Sequence, residues 1–171
     1  WVAKDLGKGH SSPVFANDKI YLTTMKDTLG YLLELSLKGE VLREVSFGPE
    51  WSQNFEGVRS TPTIAGDLAY ILSSQGNLVC IDLNIFEIKW QKHVFKDFDG
   101  KNIKWGITET LLIDGEVLYC APGGEKNNVI ALNRKTGDLI WSCAGKGGIS
   151  AYCSPVLIEI KGRKFLITMM Q

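Results

Sequence analysis

The sequence lacks an excess of charge of either sign, and it lacks any long apolar run. Among its 171 residues, 19 Lys and Arg balance 19 Asp and Glu. A neutral chain offers no basic surface of the kind that binds nucleic acid or anionic membranes. A helix needs an apolar run of about 18 residues to cross a bilayer, and the runs here have only the length of strands. We therefore expect no nucleic-acid partner and no membrane span, and the N-terminus does not read as a signal peptide.

Metal-binding cysteine motifs are also missing. The chain has four cysteines and two histidines, with no C-x-x-C pair and no ligand spacing among them: Cys80, Cys120, Cys143, Cys153, His10 and His93. We predict no metal site. Cys80 and Cys120 lie in apolar segments that favour a core position. The sequence leaves open whether Cys143 and Cys153 pair as a disulfide in an oxidising compartment.

A repeat runs through the chain. Tyr21, Tyr70 and Tyr119 follow one another at a constant interval of 49 residues, and each ends an apolar segment that follows a turn of Asn, Asp or Gly. Another copy begins at Ser154-Pro155 and stops early. Internal similarity at such a period is typical of repeat architectures.

Each period divides into four short segments rich in Val, Ile, Leu, Tyr and Phe, and no window keeps a helical period. Four antiparallel strands every 40 to 50 residues predict an all-β fold, a β-propeller of four-stranded blades. We expect one partial domain over residues 1–171, with about 3.5 blades. The predicted blades are 11–47, 60–95, 109–144 and an incomplete 153–171, and residues 1–10 end a preceding blade.

The segment "ALNRKTGDLIW", from Ala131 to Trp141, places a tryptophan four residues after a turn glycine. It resembles the tryptophan-docking motif A-x-D-x-x-T-G-x-x-x-W of the pyrroloquinoline quinone (PQQ)-like propellers, which have seven or eight blades when complete. The blade before it keeps Trp90 but has Phe86 in place of the glycine, and the first blade has Arg43 in place of the tryptophan. We expect Trp90 and Trp141 to be buried between neighbouring sheets, and Arg43 to reach solvent with its charged head.

Residues before each Ser/Thr-Pro strand opening occupy equivalent places and should meet at one mouth of the propeller. With the aromatic residues of the loops between blades, they form a candidate ligand-binding rim: His10, Ser11, Trp51, Arg59, Ser60, Trp105, Thr108, Glu109 and Tyr152. Two alternatives stay open. The polar residues can instead bond strand ends or line a solvated funnel, and Trp51 or Trp105 can plug the gap between blades.

The resemblance implies two classes of function. One is a non-catalytic scaffold that binds a small molecule or a protein at its rim, in an exported bacterial protein of the periplasm or the extracellular space. The alternative is a PQQ-dependent alcohol dehydrogenase with PQQ and calcium, in which Arg59 would stabilise the reduced quinone, Glu109 would bind calcium, and Trp51 or Trp105 would stack on the ring. The sequence has no adjacent Cys-Cys pair and no rim Asp to act as base, so we favour the scaffold without a cofactor. The missing blades of the same chain, or a second copy, are expected to cover the open ends.

Overall fold

The computed structural model describes residues 1–146 and 148–171. The described strands form three four-stranded sheets and one two-stranded sheet, and neighbouring strands within each sheet are antiparallel. We name the sheets blades 1 to 4 in chain order. The prediction of an all-β chain with the architecture of a partial propeller is confirmed.

Each complete blade is a meander in which strands that follow one another in sequence pair in space. Blade 1 contains β1 (Val14–Ala16), β2 (Lys19–Lys26), β3 (Leu29–Leu35) and β4 (Val41–Pro49). Blade 2 contains β5 (Thr63–Ala65), β6 (Leu68–Leu72), β7 (Asn77–Asp82) and β8 (Glu87–His93). Blade 3 contains β9 (Leu112–Asp114), β10 (Val117–Cys120), β11 (Val129–Asn133) and β12 (Leu139–Cys143). Blade 4 contains β13 (Val156–Ile160) and β14 (Arg163–Ile167).

The tight turn between the first two strands of a blade needs residues that tolerate a positive φ. In blade 1 these are Asn17 and Asp18, with φ of 52° and 56°. Gly66 and Gly115 take the corresponding places, with φ of 63° and 58°. These turns fix the register of each hairpin, and so they bring Tyr21, Tyr70 and Tyr119 to the same place in successive blades.

The core lies between the blades. Strand β6 is buried along its whole length because it is covered on both faces. Tyr70 and Leu72 belong to the apolar cluster shared with blade 3, whereas Ala69 and Ile71 belong to the cluster shared with blade 1. Successive side chains of a strand point to opposite faces of its sheet, so alternate residues of β6 pack against the two neighbouring blades.

One helix interrupts the strands in the described residues, where the sequence predicted none. Helix α1 covers Val94–Asp97, and the carboxylate of Asp97 accepts a hydrogen bond from the backbone nitrogen of His93 at 2.7 Å. A single turn is too short to leave a 3.6-residue pattern, so no sequence signal indicated this helix. It is also far too short to cross a membrane. The part of the chain that the structure describes contains no helix that is long and apolar enough to do so.

The two tryptophans have different surroundings. Trp90 is half-buried between blades 2 and 3, and its indole nitrogen donates to the carbonyl oxygen of Arg134 at 3.0 Å. Trp141 is 40% exposed, so the prediction that it is buried between sheets is wrong for this structure. The described part of blade 4 has two strands, and it supplies no turn like the one that covers Trp90.

Candidate functional site

The loops that enter the blades share one face of the molecule. In a four-stranded antiparallel meander the fourth strand ends on the side of the sheet where the first strand begins, so the segments that enter successive blades lie on the same side. These segments are residues 1–13 before blade 1, 50–62 before blade 2, 98–111 before blade 3 and 148–155 before blade 4. The turns between third and fourth strands lie on the opposite face.

Five residues on this face form a continuous chain of contacts that links the entries of all four blades. We call them the rim belt: His10, Phe55, Arg59, Trp105 and Tyr152. His10 Nε2 donates to the carbonyl oxygen of Phe55 at 3.3 Å. The backbone nitrogen of Trp105 donates to the hydroxyl of Tyr152 at 2.9 Å.

Arg59 is the central member of the rim belt. Its Nε donates to the carbonyl oxygen of Trp105 at 3.0 Å, and its Nη1 donates to the carbonyl oxygen of Phe55 at 2.9 Å. The guanidinium carbon lies 5.5 Å from the ring centroid of Trp51, within the range of a cation–π contact. Burial lowers the pKa of Arg59, but an arginine remains charged at neutral pH. Arg59 thus holds two loops while leaving a fixed positive charge at the mouth.

An open depression of about 440 Å³ lies beside the belt, lined by His10, Phe55, Arg59 and Thr108. Phe55 exposes 79% of its surface, Tyr152 43% and Trp105 39%. The amine of Lys104 lies 4.7 Å from the ring centroid of Trp105. The mouth therefore combines exposed aromatic rings with cationic groups, as protein-binding surfaces often do.

Trp51, a predicted wall of the site, is only 6% exposed. Its indole nitrogen donates to the carbonyl oxygen of Asn54 at 3.1 Å. The preceding residue, Glu50, is also buried, and its carboxylate accepts from the backbone nitrogens of Trp51 at 2.9 Å and Ser74 at 3.0 Å. Burial raises the pKa of Glu50. The buried Trp51 and Glu50 thus hold this loop by hydrogen bonds, and Glu50 was not among the residues predicted from the sequence.

The second set of predicted rim positions turns inward. Ser11 donates its hydroxyl to the carbonyl oxygen of Thr23 at 2.9 Å. Ser60 is 1% exposed, and its hydroxyl has no hydrogen-bond partner among the described residues. Ser60 is therefore covered, whereas Ser11 is partly exposed with its hydroxyl bonded to its own blade.

Glu109, in the same set, is completely buried. Its carboxyl oxygens accept from the backbone nitrogen of Ala121 at 3.0 and 3.2 Å. Burial raises the pKa of Glu109 to about 8, and it raises the pKa of the nearby Cys120 thiol well above its ordinary value. The prediction that Glu109 belongs to the ligand-binding rim with His10 and Arg59 is therefore corrected: its carboxyl group is buried and bonds to the residue directly after β10.

Glu109 and Trp51 do not fit the roles that the quinone alternative gives them, whereas Arg59 and Trp105 remain at the mouth. Glu109 is the proposed calcium ligand, but its buried carboxyl group is directed at Ala121. Trp51 is covered and cannot stack on a ring at the mouth. In residues 1–146 and 148–171, no three side chains of His, Cys, Asp or Glu come close enough to share a metal ion.

The cysteines form no disulfide among the described residues. Cys80 and Cys120 are buried, as their apolar segments predicted, and Cys143 is exposed. The sulfur of Cys153 lies 3.6 Å from the carbonyl oxygen of Met169, within its own blade. Cys143 and Cys153, the pair that the sequence left open, are both free thiols in this structure.

The fold and the repeat define a PQQ-like β-propeller. The family model described as outer membrane protein assembly factor BamB matches residues 39–168, which is more than half of the chain. The chain belongs to that family.

Individual relatives are distant and longer. BamB of Salmonella typhimurium is 24% identical over 95 residues, a match that covers 56% of this chain and 21% of the Salmonella protein. BamB from Moraxella catarrhalis has a similar structure, with a TM-score of 0.55 and 18% identity over 78% of this chain and 35% of that one. A europium-containing methanol dehydrogenase has a TM-score of 0.57 and 14% identity, over 86% of this chain and 27% of the enzyme. At these identities the structural likeness shows the fold alone, and this chain spans about a fifth of the Salmonella protein.

Proposed function

We propose that this chain is part of a non-catalytic propeller that binds other proteins through its rim belt, as a scaffold in outer-membrane protein assembly. The observation that carries the proposal is the continuity of the belt. His10, Phe55, Arg59, Trp105 and Tyr152 link the entries of four blades by hydrogen bonds of 2.9 to 3.3 Å. A rigid scaffold that presents loop residues in this way is a common basis for recognition.

The chemistry of the belt supports a protein as the ligand. Exposed Phe55, Trp105 and Tyr152 offer large rings, and Arg59 offers a fixed charge among them. Tyr, Trp and Arg are the residues that most often dominate the free energy of protein association. A partner segment that carries carboxylates beside apolar side chains would match both the rings and the cations of Arg59 and Lys104.

The family membership supports the biological setting. A match to the BamB model is consistent with an assembly role and with a periplasmic location. We also propose that binding at the rim uses neither PQQ nor calcium, because Glu109 and Trp51 are turned away from the mouth. Trp90, which contacts the turn of the next blade, is proposed to act as the docking tryptophan of the motif.

A binding measurement tests this function. The full-length protein is immobilised, and the periplasmic part of the outer-membrane assembly protein of the same bacterium is passed over it. We expect Phe55→Ala and Arg59→Ala to weaken binding at least tenfold, whereas Ile85→Ala has no effect. Ile85 is 65% exposed in the β7–β8 turn on the opposite face, which makes it a matched control.

The quinoprotein alternative is tested with the same preparations. They are mixed with PQQ and calcium, and the protein is separated from free quinone and examined for quinone absorbance and dye reduction. Stoichiometric retention of quinone, together with dye reduction, would contradict the proposal. Failure of the assembly protein to bind at high concentration would contradict the partner class.

A further inference from the structure

The junction between blades 2 and 3 follows a simple steric rule. The ring of Trp90 lies directly on the turn glycine Gly137, which has φ of 75°. A Cβ atom at this glycine would come within 2.9 Å of the indole. The indole nitrogen donates to the carbonyl oxygen of Arg134, three residues before that glycine. A tryptophan on one blade thus requires a turn without a side chain on the next.

The N-terminal segment follows the same rule. Gly39 in the β3–β4 turn of blade 1 has φ of 85°, and a Cβ there would collide with the ring of Trp1. Trp1 occupies this turn although most of its surface is exposed. Tryptophan and glycine are therefore paired at two places in the chain.

The junction between blades 1 and 2 departs from the rule on both sides at once. Phe86 holds the place of the turn glycine, with φ of 60°, and Arg43 holds the place of the tryptophan. The guanidinium carbon of Arg43 lies 4.5 Å from the ring centroid of Phe86. A ring at position 43 would have to enter the space that the Phe86 side chain already fills.

Arg43 also replaces the hydrogen bond of the tryptophan. Its Nη2 donates to the carbonyl oxygen of Leu83 at 2.8 Å, and its Nη1 donates to that of Asn84 at 3.0 Å. Leu83 precedes Phe86 by three residues, as Arg134 precedes Gly137. The guanidinium therefore reaches the same carbonyl in the turn that the indole of Trp90 reaches in the next blade.

A third substitution supplies the counter-charge. Glu34 pairs with Tyr21 across β2 and β3, and Ala131 pairs with Tyr119 at the same place in blade 3. Glu34 is only 3% exposed and accepts from Arg43 Nε at 3.1 Å and from the hydroxyl of Tyr21 at 3.3 Å. A buried carboxylate needs such a partner, because an unpaired buried charge is strongly destabilising.

We propose that the turn carrying Phe86 is a recognition surface that accepts arginine and rejects tryptophan, and that Glu34, Arg43 and Phe86 act as one unit that specifies which blade packs on blade 1. The two described tryptophan–glycine contacts share one steric feature, a ring that lies on a turn glycine. The Arg43–Phe86 contact differs from them, so it marks a single junction. Repeat proteins commonly misassemble by exchanging equivalent elements, and a distinct junction opposes that exchange.

A cycle of variants in the full-length protein tests the unit. Arg43→Trp should lower the denaturant midpoint, because the ring meets Phe86 and Glu34 loses its partner. The triple variant Glu34→Ala, Arg43→Trp and Phe86→Gly should recover most of that loss by restoring the tryptophan–glycine rule. An Arg43→Trp midpoint equal to wild type, or a triple variant no better than Arg43→Trp, overturns the proposal.

Two further measurements keep the test informative if Arg43→Trp does not fold. Arg43→Lys keeps the charge but loses the planar fork and the ring contact, so it should fold with a lower midpoint; an unchanged midpoint contradicts the unit. The proposed role in specifying which blade packs on blade 1 is tested by refolding at high protein concentration and measuring the oligomers formed by light scattering. The triple variant should yield more exchanged oligomers than wild type, and equal yields overturn that role.

Discussion

Arg59 donates a hydrogen bond from Nε to the carbonyl oxygen of Trp105 at 3.0 Å, and this bond joins the loop that enters blade 2 to the loop that enters blade 3. The same guanidinium holds the carbonyl oxygen of Phe55. One side chain therefore fixes the positions of two exposed aromatic residues. The rim belt depends on it for its shape as well as for its charge.

Arg59→Ala should loosen both loops while leaving the blades folded. Hydrogen bonds to a charged group contribute about 1.5–3 kcal/mol each when buried, and solvent at this exposed rim reduces that value. We expect a loss of about 1–2 kcal/mol in the free energy of unfolding. Hydrogen exchange of the segment 98–107 should accelerate. Unchanged exchange in that segment would contradict the account of the belt.

Trp90→Ala should cost about 3–5 kcal/mol, because it removes a large aromatic from the junction between blades 2 and 3. Trp141→Ala should cost roughly half as much or less in a chain of residues 1–171, since Trp141 is 40% exposed there. Chemical denaturation of the two variants checks the order. Equal losses would show that exposure does not distinguish the two residues.

Glu109→Gln should change the pH dependence of stability. Burial raises the pKa of this carboxyl group from 4.5 to about 8, so folding favours the protonated form. Its contribution to stability is complete below about pH 4.5 and is lost as the pH rises to about 8. Glutamine resembles the protonated acid and does not titrate. The variant should therefore gain stability relative to wild type as the pH increases through this window, as measured by denaturant unfolding. If the difference in the free energy of unfolding between variant and wild type is the same at every pH, Glu109 stays ionised in the folded protein.

Asp99→Asn should change the pH dependence of stability in the opposite direction. The Asp99 carboxylate accepts from the backbone nitrogens of Lys126 at 3.0 Å and Asn127 at 3.1 Å, and these bonds lower its pKa from 3.8. The wild-type contribution is present above pH 3.8 and is lost as the pH falls through the lowered pKa. The variant should be less stable than wild type at neutral pH, and the difference should shrink in acid. A difference that grows in acid would contradict this assignment.

The fold was predictable because its signal is repeated. The 49-residue spacing of Tyr21, Tyr70 and Tyr119 gave the blades, and the turn residues before them gave the hairpins. The exposure of Trp141 was not predictable from the motif, because the burial of this tryptophan depends on which residues the next blade supplies. The contact of Arg43 with Phe86 was also missed, since a substitution in one blade is explained only by a residue in the next.

The site was predictable only in part, because successive side chains of an extended segment point in opposite directions. His10, Arg59 and Tyr152 hold the earlier of the two equivalent positions before the strand openings, and they lie in the rim belt. Glu109 belongs to the set one residue further along, where successive side chains point in opposite directions and so turn into the blade. Sequence spacing located the loops but did not assign this alternation.

The most direct test of protein binding at the rim is site-specific photo-crosslinking in living cells. A photoreactive phenylalanine analogue replaces Phe55, which is 79% exposed in the rim belt, or Ile85, which is 65% exposed on the opposite face. The account predicts that the probe at Phe55 crosslinks to an outer-membrane assembly component, and that the probe at Ile85 does not. Crosslinking from Ile85 alone, or equal crosslinking from both faces, would contradict it.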